Sequence, residues 1–482
     1  MRASRDLGKD PIVIVGAGPT GLGAAHALHQ AGFDDWILYE RDDVVGGLSR
    51  SVTDERGFTW DIGGHVGFSH YGTFTRLLDD LLKPDEWLHH ERESWVRLLD
   101  RWVPYPFQNN IRHLPPEECA RCLEGLIRAA LDPSPDPPRN FEDFIIRTFG
   151  ERIADLFMRP YNVKVWACDP AKMDAGWIAD RVAVPDAIRA ARNVILGRDD
   201  VSWGPNNRFR FPLRGGTGAI WRALAARLPL ERAEGLRGIE KGTEVVRVDP
   251  GSRRVCLSDG REHSYGALIS TMPLDRLAAV SGRQDWAERT AGLVHSATHV
   301  IGVGLKGAAS AEMRTKCWMY FPESNAPFYR VTHFSLYSPE NVDDISVHWS
   351  LMAEVSESPD RPVNASSVVQ DVVKGLARHG LIEGPEQVAH TWHHRVEYGY
   401  PTPTLGRDAI LHSLLPQLEK EAAILSRGRF GAWLYEASNM DHSYMQGLEA
   451  AEHLLHNRPE FTLWRPHAVN QPHPALGWDL YR

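Results

Sequence analysis

The chain has few cysteines, no basic tract and no long apolar run. Its 482 residues include 5 cysteines, which do not make a disulfide framework and fit a reducing compartment. Lys and Arg number 54 against 63 Asp and Glu, for a net charge of -9, so nucleic-acid binding is not expected. No run approaches the roughly 20 apolar residues that span a bilayer, so no membrane association is expected.

Export and metal signals are also lacking. MRASRDLGKD leads directly into the strand-like PIVIVG, without an apolar h-region or a small-residue cleavage site, so we expect a cytoplasmic protein. Cys119 and Cys122 have CxxC spacing, but PPEECARCLEGLIRAAL is typical of an amphipathic helix and no second pair completes a zinc site. We predict no metal site.

A glycine-rich turn follows the first predicted strand. Residues 12–15 precede GAGPTG, the helical LGAAHALHQAG follows, and a second strand, WILYE, ends at Glu40. In such a unit Gly16 makes the tight turn, Gly18 lets the backbone approach a pyrophosphate, and Gly21 packs the helix on the strand. Glu40 has the spacing of the acid that binds the adenosine ribose. The pattern predicts a Rossmann dinucleotide site.

A glycine pair after the second predicted strand indicates which dinucleotide is bound. Gly46 and Gly47 lie in ERDDVVGGLSRS, which resembles the second phosphate-side loop of FAD-dependent oxidoreductase-like proteins. The alternatives are NAD, or glycines that only make turns. The GG loop, the late strand ISTMPL and the C-terminal helix favour FAD.

The length predicts two or three domains. We predict an α/β fold in which a Rossmann-type FAD-binding domain carries a helical insertion domain and an additional β-sheet domain. The predicted parts are a discontinuous FAD-binding domain of 1–103, 214–290 and 425–460, a helical substrate domain of 104–205, a β-sheet domain of 206–213 and 291–424, and a C-terminal tail of 461–482.

Seven phrases of the sequence resemble those of the eukaryotic-type UDP-galactopyranose mutases. They are GGHVGFSHYG, WVPYPFQNN, FMRPYNVKVWA, FRFPLRGGTG, KCWMYFPESNAPFYR, GYPTPTL and RGRFGAWLYEASNMDHS. They run from Gly63 to Ser443 in the expected order, and PYPFQNN and RPYNVKVWA are far more specific than a glycine motif. The chain is identified as a member of this flavin-dependent nucleotide-sugar mutase family.

The resemblance implies an isomerase that interconverts UDP-galactopyranose and UDP-galactofuranose and requires reduced FAD. In the implied mechanism, N(5) of the reduced flavin forms a covalent adduct with the anomeric carbon, UDP leaves, and the opened sugar recloses as the furanose. NADPH is the implied reductant. No second Rossmann unit for a separate NADPH domain is expected, so NADPH would share the substrate cleft and leave before the sugar binds. Homo-oligomer formation stays open.

The resemblance also implies roles for individual residues. Arg181 and Arg330 match the pair that grips the diphosphate, for which planar guanidinium groups are suited, and Tyr337, Tyr400 and Tyr435 match tyrosines near it. Other substrate contacts are implied for a uridine slot of Tyr105, Phe107, Gln108, Asn162 and Trp166, and for a sugar chamber of Asn206, Trp318, Tyr320 and Asn439.

Further implied residues face the flavin and the reductant. His65, with Gly64, lies in a mobile histidine loop beside the flavin, where an imidazole can hydrogen-bond N(5) or shuttle its proton, whereas His70 is expected to be structural. The remaining implied contacts are Asn439, His442 and Ser443 for FAD, and Arg92, Ser94 and Arg429 for NADPH.

The match has departures, and other readings stay open. Met440 stands where the family commonly has Gln, Leu434 replaces a family Arg, and the tail after Leu455 differs. The main alternative is a redox flavoenzyme of the amine-oxidase or desaturase type, which has no use for Arg181 and Arg330 as a diphosphate cage. The others are a mutase of a different nucleotide sugar and a non-catalytic FAD sensor.

Overall fold

The computed structural model describes residues 10–178, 181–201, 204, 207–229 and 238–469. Within them the strands are β1 Ile12–Val15, β2 Trp36–Tyr39, β3 Ser51–Thr53, β4 Thr59–Asp61, β5 Trp87–Glu91, β6 Ser94–Leu98, β7 Arg101–Pro104, β8 Arg208–Pro212, β9 Ile239–Glu240, β10 Val245–Asp249, β11 Arg254–Leu257, β12 Glu262–Ser264, β13 Ala267–Ser270, β14 Val294–Lys306, β15 Trp318–Tyr320, β16 Arg330–His333, β17 His348–Glu357, β18 Val388–Thr402 and β19 Ile424–Ser426.

The helices of the same residues follow this numbering. They are α1 Pro19–Gln30, α2 Gly72–Leu81, α3 Pro116–Leu131, α4 Phe141–Ile153, α5 Arg159–Trp166, α6 Ala187–Leu196, α7 Gly218–Ala225, α8 Leu274–Val280, α9 Gln284–Thr290, α10 Val368–Arg378, α11 Arg407–Ala422, α12 Met440–His456, α13 Phe461–Trp464 and α14 Pro466–Val469. None of these described helices is long and apolar enough to cross a membrane.

A five-stranded parallel sheet forms the dinucleotide-binding part. Its order is β19-β13-β1-β2-β9, and Ile12 lies opposite both Trp36 and Ala267. Every residue of β1, β2 and β13 is buried, because α1, α7 and α12 pack on one face while the antiparallel β10-β11-β12 sheet, α8 and α11 cover the other. Continuous apolar strands covered on both faces are typical of parallel sheets.

A seven-stranded sheet of order β18-β14-β17-β16-β15-β6-β7 lies beside it. All its pairs are antiparallel except β6 with β15. Helix α10 packs on one face, and the rings of Trp60 and Phe334 lie in the core on the other. A Cβ atom at Gly302 of β14 would lie 2.5 Å from the Trp60 ring, so a side chain there would displace the indole.

The predicted helical insertion is present as α3 to α6. Helix α3 has the predicted amphipathic character, with Cys119 and Cys122 buried as free thiols against the core. Burial raises the pKa of the Cys122 thiol to about 12, so these side chains act as small apolar groups. The predicted fold class, an α/β Rossmann-type domain with a helical insertion and a further sheet, is confirmed.

At two places the strands pair across the predicted limits between domains. The limit at residue 103 falls inside the β6–β7 hairpin, which belongs to the seven-stranded sheet because Ser94 pairs with Trp318. Strand β8, which the predicted limits assign to the β-sheet domain, pairs with β5 in a separate two-stranded ribbon. Both pairings join segments more than a hundred residues apart, for which local sequence patterns carry no register.

Candidate functional site

A cavity of about 980 Å³ extends from the glycine turn of the parallel sheet to the helical region and the seven-stranded sheet. Gly16, Gly18 and Glu40 line one end, and Asn162 and Arg181 belong to the other. Its volume is in the range of sites that enclose large organic ligands. Predicted cofactor and substrate residues therefore border one continuous space.

The dinucleotide end is built from main-chain geometry and one buried acid. Helix α1 begins at Pro19 with Gly18 at its N-cap, so the helix N-terminus faces the cavity. A Cβ atom on Gly47 would lie 3.0 Å from the Cα atom of Gly18. Two backbone segments without side chains therefore lie against each other at the place where a pyrophosphate would bind. The Glu40 carboxylate accepts from the N–H of Ala17 at 2.7 Å and of Asp42 at 2.9 Å.

Three of the predicted glycines shape the turn; Gly16 also lines the cavity, whereas Gly21 and Gly46 do not. Gly16 has φ +95°, and a Cβ atom there would lie 2.2 Å from Thr271 Oγ1. At Gly21 a Cβ atom would lie 1.8 Å from the Gly16 carbonyl oxygen, so only glycine lets α1 pack this closely on β1. Gly46, with φ +110°, turns the chain into residues 47–49.

The predicted histidine loop lies at the middle of the cavity. Gly63, Gly64 and His65 line it, and His65 Nδ1 lies 3.1 Å from the Gly63 carbonyl oxygen. Burial, with the nearby Arg429 guanidinium, lowers the pKa of His65 to about 4. The imidazole is therefore neutral at pH 7. His70 also lines the cavity, and its Nδ1 lies 2.8 Å from the Asp441 carboxylate.

Arg330 enters the cavity as one half of a buried ion pair. Its Nε and Nη2 atoms donate to Glu354 at 2.9 Å and 2.6 Å. The guanidinium also lies 4.6 Å from the Trp318 ring, and Tyr329 donates its hydroxyl proton to Glu354 at 2.5 Å. The charge of Arg330 is thus largely offset within the protein.

Arg181 and Arg429 have a different electrostatic setting. Arg181 donates to the carbonyl oxygen of Glu436 at 2.8 Å and to Asn439 Oδ1 at 3.4 Å. Arg429 donates to the Gly399 carbonyl oxygen at 3.1 Å and to Ser438 Oγ at 3.1 Å. These partners are all neutral, and burial lowers the pKa of Arg429. Within the part of the chain that the structure describes, no carboxylate pairs with either guanidinium, so an anionic ligand would supply a counter-charge.

Aromatic side chains form the walls at this end. The ring centroids of Tyr105 and Tyr320 are 5.0 Å apart, and Trp166 meets Tyr435 edge to face at 4.8 Å. The polar members between them are Gln108, which donates to the Ala183 carbonyl oxygen at 2.6 Å, and Asn162, which donates to the Met158 carbonyl oxygen at 2.7 Å. Such walls suit a flat base and a sugar.

Several predicted contacts lie behind the lining rather than in it. Phe107 packs on Phe157, Tyr337 on Phe209, and His442 on His70, with ring centroids 4.8 Å, 5.2 Å and 4.9 Å apart. The predicted residues that the cavity lining does not include are Phe107, Tyr337, His442, Ser94, Gly21 and Gly46. Asn206 lies outside the described residues.

The lining also includes residues that were not predicted from the sequence, among them Tyr161, Tyr329 and Glu354. Tyr161 and Tyr329 lie inside phrases that resemble the mutases, and Glu354 is a fully buried acid of strand β17. A carboxylate between the apolar residues Ala353 and Val355 of a buried strand is a signal that it needs a cationic partner. Of the two residues that differ from those common in the mutases, Met440 lines the cavity, whereas Leu434 is buried in an apolar core.

Comparisons with known proteins identify the family and relate the fold to solved structures. The family model of flavin-containing amine oxidoreductases matches residues 19–455. A crystal structure of reduced UDP-galactopyranose mutase is 47% identical, with a TM-score of 0.92, over 96% of this chain and 97% of that one. A CLA-producing fatty acid isomerase from P. acnes shares the fold alone, at 16% identity and TM-score 0.61 over 91% of this chain and 97% of that one.

Curated relatives match shorter segments. Protoporphyrinogen oxidase 1 of Arabidopsis thaliana is 30% identical over 170 residues, which is 33% of this chain and 31% of that protein. The 15-cis-phytoene desaturase of Synechococcus elongatus is 37% identical over 81 residues, 16% of this chain and 17% of that protein. The chain therefore matches less than a third of the length of each of these relatives.

Proposed function

The chain belongs to the flavin-containing amine oxidoreductase family, and from that premise we propose that it binds FAD and interconverts UDP-galactopyranose and UDP-galactofuranose. The observation that carries the proposal is the cavity itself. Arg181 and Arg429, whose hydrogen-bond partners among the described residues are neutral, lie among aromatic walls in the same space as the dinucleotide turn. The similarity to a UDP-galactopyranose mutase over nearly the whole chain supports the same substrate.

The residues at the glycine turn fit FAD. Gly18 and Gly47 would hold the pyrophosphate, and Glu40 would accept hydrogen bonds from the ribose. His65 and Ser443, together with Asn439 at the N-terminus of α12, would face the flavin ring. When bound and reduced, the flavin supplies an electron-rich centre toward the anomeric carbon of the sugar.

The arginines act on the leaving group. Arg181 and Arg429 attract the diphosphate and stabilise the negative charge that develops on UDP as its bond to the sugar breaks. Arg330 contributes N–H donors, while Glu354 keeps its guanidinium oriented. UDP would stay in the cavity through the ring rearrangement and then rejoin the furanose.

The uridine end has a specific acceptor. Gln108 Oε1 is buried and has no hydrogen-bond partner among the described residues, so it is suited to accept from a base N–H between the aromatic walls.

At the histidine loop, a His65 tautomer that donates Nδ1–H to the Gly63 carbonyl oxygen leaves Nε2 as a neutral proton acceptor.

NADPH is the proposed reductant, and it would share the cavity with the nucleotide sugar. Arg92 and Arg429 line the cavity, whereas Ser94 lies behind it. NADPH would then have to leave before the sugar binds. Simultaneous full occupancy by NADPH and a UDP-sugar would contradict this order.

A redox activity of the amine-oxidase or desaturase type is the alternative. Neither an amine nor a polyene provides a counter-charge for Arg181 and Arg429. Anion binding therefore discriminates between the two functions.

The deciding experiment follows conversion of UDP-galactofuranose to the pyranose by chromatography, with dithionite-reduced protein and an oxidised control. We expect conversion only by the reduced protein. No conversion by FAD-loaded protein would contradict the proposed substrate and direct attention to other nucleotide sugars and then to redox substrates. A protein that does not bind FAD would contradict the whole assignment.

A further inference from the structure

Helix α5 and the β15–β16 hairpin form facing walls of the cavity. Helix α5 places Tyr161, Asn162 and Trp166 in the lining. The hairpin supplies Tyr320 at the end of β15 and Arg330 at the start of β16. The ring centroids of Tyr161 and Tyr320 are 5.3 Å apart. The width of the cavity therefore depends on how helix and hairpin are held together.

Lys164 joins these two walls from behind. It lies on α5, is 4% exposed and is absent from the cavity lining. Its Nζ atom donates to the carbonyl oxygens of Phe321 at 2.7 Å, Glu323 at 2.9 Å and Ala326 at 3.0 Å. All three carbonyls belong to the loop that connects β15 to β16. An ammonium has three N–H groups, so each finds one acceptor.

Burying the Lys164 ammonium costs free energy that a residue needed only to fill space would not cost. Burial, together with the Arg361 guanidinium, lowers the pKa of Lys164 to about 7. An unbranched apolar side chain such as Met would fill a similar volume without desolvating an ammonium. Three convergent hydrogen bonds, by contrast, specify one conformation of the loop and one distance to the helix.

We propose that Lys164 is a positioning residue that sets the spacing between α5 and the β15–β16 hairpin, and with it the fit of the nucleotide between Asn162 and Arg330. The inference rests on the proposed function, because it assigns the nucleotide to that space. Lys164 does not touch the substrate. It acts through the loop whose carbonyl oxygens it binds.

The test is Lys164→Met in the FAD-loaded full-length protein, with UDP as the binding probe. We expect the Kd for UDP and the KM for the UDP-sugar to rise about tenfold, since displaced walls weaken the fit. FAD content should be retained, and kcat should change by less than about threefold. Lys172→Met is the matched control, because Lys172 is exposed and pairs with Asp360. Its UDP affinity should equal that of the wild type.

The outcomes separate this inference from the proposed function. A folded, FAD-loaded Lys164→Met protein with wild-type UDP affinity and KM would overturn the role of Lys164. If that variant does not fold, Lys164→Gln keeps an amide donor and should bind UDP with intermediate affinity, and wild-type affinity there would overturn the role equally. Failure of the proposed function would instead appear in the wild type, as an absence of both UDP binding and conversion.

Discussion

The backbone N–H of Gly64 donates to the carboxylate of Glu354 across 3.0 Å. Glu354 is 1% exposed and also accepts hydrogen bonds from Arg330 and Tyr329. One buried carboxylate therefore ties the loop that carries His65 to the arginine predicted to hold the diphosphate. The two regions are far apart in the sequence and share this strand β17 carboxylate as a hydrogen-bond partner.

Removing Arg330 should lower the stability of the fold and also weaken UDP binding, and the two effects can be measured independently. Arg330→Ala leaves Glu354 buried without its cation, so we expect the free energy of unfolding to fall by about 3 kcal/mol. UDP binding should weaken at least about tenfold, because charge-assisted donors are lost. Urea denaturation and titration calorimetry measure the two effects.

The double variant Arg330→Ala/Glu354→Gln is the control that distinguishes the loss of stability from the loss of UDP binding. A neutral Gln still accepts from Gly64 but needs no counter-charge, so most of the stability should return while UDP affinity stays low. Restored UDP affinity in the double variant would contradict a direct role of Arg330 in binding.

The positive φ of Gly16 should be needed for FAD binding. Gly16→Ala places a Cβ atom at φ +95° and 2.2 Å from Thr271 Oγ1, with a backbone cost of about 1–3 kcal/mol. We expect purified Gly16→Ala to carry much less flavin per protein, measured by its absorbance. Gly32→Ala is the matched control: it also has positive φ, but its Cβ would meet nothing within 4 Å. Equal flavin loss in both variants would refute a specific role for the turn.

His65 should make the folded protein less stable in acid. Its pKa is lowered to about 4 from the ordinary value of 6.5. Between pH 4 and pH 6.5 the unfolded chain therefore binds more protons there, and stability falls as pH drops. From pH 8 to pH 5 we expect the wild type to lose about 2 kcal/mol more than His65→Gln, as measured by urea denaturation at both pH values.

The exposed His89 offers a matched substitution for this comparison. His89→Gln should keep the wild-type loss of stability between the two pH values, whereas His65→Gln should reduce it. Identical pH dependence of His65→Gln and the wild type would show that His65 is not buried as a neutral imidazole in solution.

Local patterns were sufficient for the dinucleotide unit. The predicted strand at residues 12–15 is β1, and the strand predicted to end at Glu40 is β2, which ends one residue earlier. Strand, glycine turn and helix follow one another directly, so their pattern is contained in about 30 residues. The resemblance to the mutases pointed to Arg181 and Arg330, of which Arg330 lies inside one of the quoted phrases.

The tertiary structure decided which side chains face the cavity. Sequence resemblance could not reveal that Tyr337 and His442 pack behind the lining, or that Glu354 offsets Arg330. Nor could it place Ser94 beside Trp318 in the seven-stranded sheet. Pairing register and side-chain direction depend on contacts between distant segments, which no local periodicity specifies. The sequence by itself determined the dinucleotide turn and the residue types at the site, and long-range packing determined which of them meet.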